Sequence, residues 1–254
     1  MTTAPPAGET TVRAGPLLAL DHITKSFGKV RVIEDLTLRV NTGEALGVVG
    51  PNGAGKTTML NLIAGATPPD RGRITFDDRD LSTVAPHRRC KVGIARTHQI
   101  PAPFEGLSVF ENVLVGVRFG RSEPSADPYR TAMDALDRTG LSGKANASAS
   151  TLTLLERKRL ELARALGTGP RLLLLDEIAG GLTENEVERL IETIKELRAA
   201  SVTIIWIEHI VHAIVSVVDR LLAIDFGRVL AEGTPHDVMA NPAVQAVYLG
   251  IEDA

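Results

Sequence analysis

The chain is predicted to fold as an α/β protein on a mixed sheet, with an antiparallel β portion near its start and an inserted helical subdomain. Three features carry that reading: a glycine-rich segment between a strand and a helix, a run of four leucines ending in two carboxylates, and further unbroken apolar runs downstream. The segment is Gly50-Pro51-Asn52-Gly53-Ala54-Gly55-Lys56-Thr57-Thr58, a full G-x-x-x-x-G-K-[ST] phosphate loop. Ala45–Val49 ahead of it is a short apolar run of strand type, and Thr57–Ala64 behind it has the composition of a helix. Gly50, Gly53 and Gly55 let the backbone fold into a nest whose N–H groups converge on one anion. The dipole of a helix starting near Lys56 adds positive potential at the same point. Lys56 is suited to reach the β- and γ-phosphates of a nucleotide, and the Thr57 hydroxyl to ligate Mg²⁺.

The other elements follow from pattern. Leu17–Ile23 and Leu36–Val40 are β-rich and supply the antiparallel portion, to which Ile74–Phe76 can add. Leu172–Leu175, Val202–Ile207 and Leu221–Ile224 have the length and continuity of buried parallel strands. Between the first two, Thr183–Ala199 carries one apolar stripe of Val187, Leu190, Ile191, Ile194 and Leu197, and Thr183-x-x-Glu186 is a capping box, so a surface helix is predicted there. The stretch from about 104 to 169 reads as the helical insertion, with helices around Val109–Val117, Tyr129–Arg138 and Arg157–Leu166 and a polar break at Ser142–Ser150. Pro235 and Pro242 are helix-start prolines, so short helices are predicted over about 234–254.

Composition narrows the function classes. With 254 residues, 44% of them hydrophobic, the chain can build one large core. A net charge of -3 and a pI near 6.1 give no basic bias toward nucleic acid, and none is expected as a partner. The single cysteine, Cys90, cannot close an internal disulfide, no cluster has zinc spacing, and both facts fit a reducing compartment. Cys90 reads as a small half-buried side chain. Residues 1–15, rich in Thr, Ala, Pro and Gly, lack the apolar core of a secretion signal, and nowhere do about 18 apolar residues run together. The expected organisation is a flexible leader over 1–15 and one domain over 16–254 that does not enter a membrane by itself.

Chemistry appears at Asp176-Glu177, the end of the leucine strand. Carboxylates there are expected beside a phosphate loop on a neighbouring parallel strand, with Asp176 holding Mg²⁺ through water and Glu177 polarising an attacking water. With Gln99 between the two motifs and His209 after Val202–Ile207, the sequence resembles the nucleotide-binding subunit of ATP-binding cassette (ABC) transporters from about Leu17 onward. The resemblance implies a P-loop NTPase core that binds ATP and Mg²⁺ and hydrolyses ATP. It assigns Phe27 to stack on adenine, Gln99 to sense Mg²⁺ and link to membrane subunits, and His209 to contact the γ-phosphate. It also implies partners: two permease subunits, a second ATP-binding subunit, either a second copy or a paralogue, and indirectly an extracytoplasmic solute-binding protein. The corresponding location is the cytoplasmic face of the inner membrane. Pro103–Asn112, with its aromatics, stands where the family receives the permease.

Two departures from the family pattern stand out. Where relatives carry Leu-Ser-Gly-Gly-Gln before a basic helix, this chain has Leu152-Thr153-Leu154-Leu155-Glu156, and the helix is expected from Arg157. Thr153 keeps the hydroxyl that the family turns toward ATP on the opposite subunit, while the Leu155 side chain is expected to obstruct close approach. At Gly180-Gly181-Leu182-Thr183 many relatives carry Asp in the fourth place. The loop Gly93-Ile94-Ala95-Arg96-Thr97-His98-Gln99, the run Asp176–Leu182 and the ending Tyr248-Leu249-Gly250 look most like importers of branched-chain amino acids and related amides. Two rivals stay open. A soluble ABC ATPase of DNA repair or translation is disfavoured because the chain has neither a long coiled-coil insertion nor tandem cassettes. A module that holds ATP with little turnover fits the altered signature and conflicts with Glu177.

Overall fold

The computed structural model describes residues 15–249, with the side chains of Tyr248 and Leu249 excepted. The expected leader, apart from Gly15, lies outside these residues, as does Gly250 of the subfamily-like ending. In chain order the elements are β1 Leu18–Phe27, β2 Val30–Val40, β3 Ala45–Val49, α1 Lys56–Ala64, β4 Arg71–Phe76, β5 Arg79–Asp80, α2 Pro86–Lys91 and β6 Ile94–Arg96. Between β6 and the next strand come α3 Val109–Phe119, α4 Pro128–Arg138 and α5 Leu154–Gly167. The chain continues through β7 Leu172–Asp176, α6 Glu184–Ala199, β8 Thr203–Ile207, α7 Val211–Val215, β9 Arg220–Asp225, β10 Arg228–Gly233, α8 Pro235–Ala240 and α9 Pro242–Leu249.

Two sheets form. The smaller has the order β2-β1-β4-β5 and is antiparallel; the larger has the order β10-β9-β3-β8-β7-β6 and is parallel except for β10. This is the α/β mixed-sheet architecture that the apolar runs predict. Strand alternation divides the core in two. Leu172 and Leu174 of β7 point into a core shared with the antiparallel sheet and α1, while Leu173 and Leu175 point into one shared with α5 and α6. Strands β3, β7 and β8 are buried at every residue because both faces are covered.

Several elements differ from the pattern reading. β1 and β2 run longer than their alternating segments because the register shifts three times between Leu20 and Ser26, with His22 and Asp35 at φ of 51° and 54°. The shifts break the alternation and hide the strand from a period-two count. The β9–β10 hairpin went unrecognised because its turn is Phe226-Gly227, both at positive φ, and only the glycine signals such a turn. Thr183 does cap α6: its amide and hydroxyl each donate to a Glu186 carboxylate oxygen at 2.9 Å. Cys90 is half-buried, its thiol pushed up by burial, with Sγ 3.5 Å from the Gly120 carbonyl.

α2 is held by its one buried arginine. Arg89 donates to the carbonyls of Leu62 and Ile63 at the C-terminal end of α1, to Val84, and in a shorter contact to Leu81. Leu62 and Leu81 also accept backbone amides, from Gly65 at 3.2 Å and Val84 at 2.9 Å, so Arg89 adds a second, charged donor that ties the end of α1 to the turn before α2. Burial pulls the guanidinium down to about 10, with Asp80 acting against it. Arg89→Ala should lower unfolding stability by about 3 kcal/mol, read by chemical denaturation, because several buried carbonyls lose a charged donor at once and a large buried side chain is removed.

Candidate functional site

The phosphate loop joins β3 to α1. Gly50 has φ 152°, and a Cβ there would stand 2.1 Å from the Ile224 carbonyl oxygen; Gly55 has φ 100°, and its Cβ would meet the Val32 carbonyl oxygen at 2.7 Å. Any other residue at either place would force the loop away from β9 or β2. Gly55 caps α1 without a side-chain bond, so no side chain of the cap competes for the first-turn amides. Lys56 is buried, and its ammonium donates to the carbonyls of Gly50 at 2.7 Å and Pro51 at 2.9 Å. Burial pulls it below the ordinary lysine range, opposed by the negative charges of Glu177 and Asp176. A pocket of about 290 Å³ is lined by Val32, Asn52–Thr58 and Glu177.

Across that pocket lies a cluster centred on Glu177. The Gln99 amide donates to Oε2 of Glu177 at 2.5 Å, and Nε2 of His209 lies 2.8 Å from its Oε1. Glu177 has φ 47°, and its amide donates to the Ile207 carbonyl at 2.9 Å. A non-glycine residue in the left-handed region at the end of a buried strand is the kind of strain that functional sites retain. Asp176 is buried; its Oδ2 accepts from Arg96 at 2.7 Å, while its Oδ1 has no hydrogen-bond partner among the described residues. An orphaned, buried carboxylate oxygen beside a phosphate loop fits a hydrated cation. The expectation that the carboxylates end a strand next to that of the phosphate loop is corrected here, because β8 lies between β3 and β7.

Residues 33–180 match the ABC transporter family, and residues 228–254 match the branched-chain amino acid ATP-binding cassette transporter family. The chain belongs to the ABC transporter family. The high-affinity branched-chain amino acid transport ATP-binding protein BraF of Pseudomonas aeruginosa is 34% identical over 252 residues, covering 92% of this chain and 98% of that protein. The lipopolysaccharide export system ATP-binding protein LptB of Escherichia coli K12 is 33% identical over 234 residues, covering 92% and 97%. A crystal structure of the ADP conformation of an ATP-binding cassette of an ABC transporter superposes with a TM-score of 0.84 at 29% identity, covering 92% and 99%. This ABC chain is accordingly an ATP-binding, ATP-hydrolysing transporter subunit with the α/β P-loop NTPase fold.

The other residues expected to serve the site, Phe27 and Thr153, lie apart from the pocket lining. Phe27, at the end of β1, is half exposed, with the Lys25 ammonium 5.5 Å from its ring centre. Lys25 and the Ser26 amide are both held by Asp70, at 2.7 Å each. Thr153 is the N-cap of α5, so the helix begins at Leu154 and not at Arg157. Its hydroxyl accepts the Glu156 amide at 3.4 Å, and the Glu156 carboxylate accepts the Thr153 amide at 3.0 Å and pairs with Lys144. Lys144 is the main cause holding Glu156 below the usual carboxylate range. Thr153-x-x-Glu156 is thus a second capping box, with the same spacing in the sequence as Thr183-x-x-Glu186. Leu155 is buried in the interior and cannot obstruct a ligand at the helix end, whereas Leu154 is 44% exposed beside Gly181. Arg96 and Asn61, bonded to each other at 2.5 Å, also escaped the sequence reading, because nothing in their spacing shows that β6 sets Arg96 against Asp176.

Two outcomes follow for this site. Lys56→Ala should abolish tight Mg-ATP binding, measured by equilibrium titration with a fluorescent ATP analogue, while circular dichroism stays unchanged. Leu155→Ala should cost about 3 kcal/mol of unfolding stability, and Leu154→Ala less than about 1 kcal/mol, because only the first empties a core position.

Proposed function

We propose that the chain is the ATPase subunit of an importer of branched-chain amino acids or related small polar solutes. In this reading it sits at the cytoplasmic face of the inner membrane on two permease subunits, and an extracytoplasmic solute-binding protein delivers the cargo. The observation that carries the catalytic part is the Glu177 carboxylate, held between Gln99 and His209 and lining one pocket with Lys56. The match over residues 228–254 and the likeness to BraF support the importer; the comparable identity to LptB supports a transporter ATPase without fixing the cargo.

The steps then follow from the residues. Nucleotide phosphates replace the Gly50 and Pro51 carbonyls as partners of Lys56, and their negative charge offsets the burial that pulls its ammonium down. The glycine loop and the first turn of α1 supply N–H donors, and Phe27 supplies the aromatic face for adenine. Mg²⁺, when bound, would neutralise phosphate charge; Thr57, Asp176 through its free Oδ1, and Gln99 are the residues that would hold it. In this reading Glu177 accepts the proton of the attacking water, and His209, hydrogen-bonded to it, contacts the γ-phosphate.

A second ATP-binding subunit completes each site in this reading, with Thr153 and the N-terminus of α5 serving the partner's nucleotide. The segment 104–169 acts as the helical subdomain that carries this signature. Between it and the core lies a cleft of about 310 Å³ lined by residues including Cys90, Arg96, His98, Glu161 and Arg164, and Phe104 packs against the Arg164 guanidinium at 4.7 Å. Ile100 and Phe104 are exposed beside it and form the apolar contact offered to a permease. No helix among the described residues is long and apolar enough to cross a membrane, so in this reading permeases provide the attachment.

Glu177→Gln should bind Mg-ATP with unchanged affinity and stop cleavage, so that a closed dimer accumulates on size-exclusion chromatography. Normal single-turnover cleavage would remove Glu177 from the role of base. For the cargo, the chain co-expressed with its permeases and reconstituted in liposomes should show ATPase activity stimulated by a solute-binding protein loaded with a branched-chain amino acid. Stimulation by lipopolysaccharide instead would overturn the importer reading and leave the ATPase assignment standing.

A further inference from the structure

Beneath the catalytic cluster lies a carboxylate to which the hydrolytic mechanism gives no role. Glu208, the residue after β8, is 1% exposed. Its two oxygens are used separately: Oε1 accepts the Ala179 amide at 2.7 Å, and Oε2 accepts the His209 amide at 3.0 Å. Ala179 belongs to the loop that follows Glu177, and His209 is the residue whose ring meets Glu177. One buried group therefore grips both backbones that carry the catalytic pair.

A second tie runs parallel to the first, since the Glu177 amide donates to the Ile207 carbonyl at 2.9 Å. Glu177 is thus strapped to the end of β8 on both sides, at its own amide and two residues later. Left-handed backbone at a non-glycine residue persists only where its surroundings over-determine it. These two ties, with the 2.8 Å contact between the side chains, are such surroundings. Lys158 of α5, 4% exposed, approaches from the other side with Nζ 3.5 Å from the Glu177 carbonyl, and Glu208 and Glu177 are the carboxylates whose charge it feels.

We propose that Glu208 is a positioning residue for ATP hydrolysis: its buried carboxylate sets the spacing between Glu177 and His209 by holding the Ala179 and His209 amides at once. Lys158, through its 3.5 Å approach to the Glu177 carbonyl, brings a positive charge from the signature-bearing helix α5 to the same cluster. The inference rests on the reading of Glu177 as the base. A glutamine cannot replace Glu208 in this role, because one of its two terminal atoms is a donor and would face an amide N–H.

The test compares Glu208→Gln with wild type in the full chain, using single-turnover cleavage of radiolabelled Mg-ATP and equilibrium binding of a fluorescent ATP analogue. Cleavage should slow by about tenfold to a hundredfold while ATP affinity stays within about twofold, the split expected when reacting groups are misplaced and the binding loop is intact. Burial raises the Glu208 carboxyl above its ordinary range. Its folding contribution is therefore full below that range and is lost as pH rises through the folded value, so at neutral pH the charge costs stability that glutamine does not. The variant should accordingly fold. Lys158→Met, which leaves both Glu208 hydrogen bonds in place, should slow cleavage in the same direction by a smaller factor. Wild-type cleavage in Glu208→Gln, or losses of cleavage and affinity in equal proportion, would overturn the inference. Glu177→Gln run alongside separates the two failures: if it too cleaves normally, the site reading falls; if it is inert while Glu208→Gln is normal, only the role of Glu208 does.

Discussion

The geometry of the site rests on one constraint, the presence of β8 between β3 and β7. Neighbouring strands in a sheet lie about 4.8 Å apart, so the strand ends that carry the phosphate loop and the Asp176-Glu177 pair are separated by about two such spacings. One spacing would set the Glu177 carboxylate against the loop, with no room for a phosphate and a water between them. Two spacings leave that room, and they also bring the end of β8 into the middle of the site, where Ile207, Glu208 and His209 can all act on Glu177. Adjacency of the two motif strands is what their sequences suggest, and β8 is the spacer between them.

The spacer in turn depends on burial. β8 reads Thr203-Ile204-Ile205-Trp206-Ile207 and is buried throughout, facing α6 and its neighbours through Ile204 and Trp206 and the antiparallel sheet through Ile205 and Ile207. Such a strand cannot slip register without moving large side chains into the wrong core. The rigidity reaches the chemistry because the last residue of β8 supplies the carbonyl that accepts the Glu177 amide. Charge enters the same edge with little water to screen it. Lys56, Arg96, Asp176, Lys158 and Glu208 are all largely buried there, and each lies near a group of opposite charge or against backbone polar atoms. This arrangement favours fixed distances over stability, since buried charges cost solvation that packing alone would not.

Legibility in the sequence followed locality. The phosphate loop, the leucine strand with its carboxylates and helix α6 are contiguous motifs whose physics lies within ten or so residues, and each appears where its residues predict. Gln99 and His209 became visible only through resemblance, yet they converge on the same carboxylate. Arg96, Lys158 and Glu208 were invisible for the opposite reason. Each looks like ordinary polar sequence, and each acquires meaning from a strand pairing or a helix face that brings it to residues about 20 to 80 positions away. The bulged β1–β2 pair and the Phe226-Gly227 turn were hidden because local backbone departures broke the periodicities on which strand recognition depends.

The altered signature is best understood through the helix it starts. Glycines at 154 and 155 would leave the first turn of α5 weakly formed, since glycine is a poor helix former. Here Leu154 and Leu155 form that turn, Leu155 anchors it in the core, and the Thr153–Glu156 capping box closes it. The consequence is a helix N-terminus that is fixed in place, with Thr153 at its tip and its hydroxyl already committed to the Glu156 amide at 3.4 Å. That bond is long, and a nucleotide phosphate accepting from the same hydroxyl and the first-turn amides would leave the capping acceptor free to keep its own donor. A hydroxyl can donate to a phosphate while accepting from an amide, so capping the helix and binding an anion are compatible roles for Thr153. What the substitution removes is close backbone approach at Leu154, the one exposed side chain of the pair, and that places the difference from glycine-bearing relatives at the surface of the helix end and not in its fold.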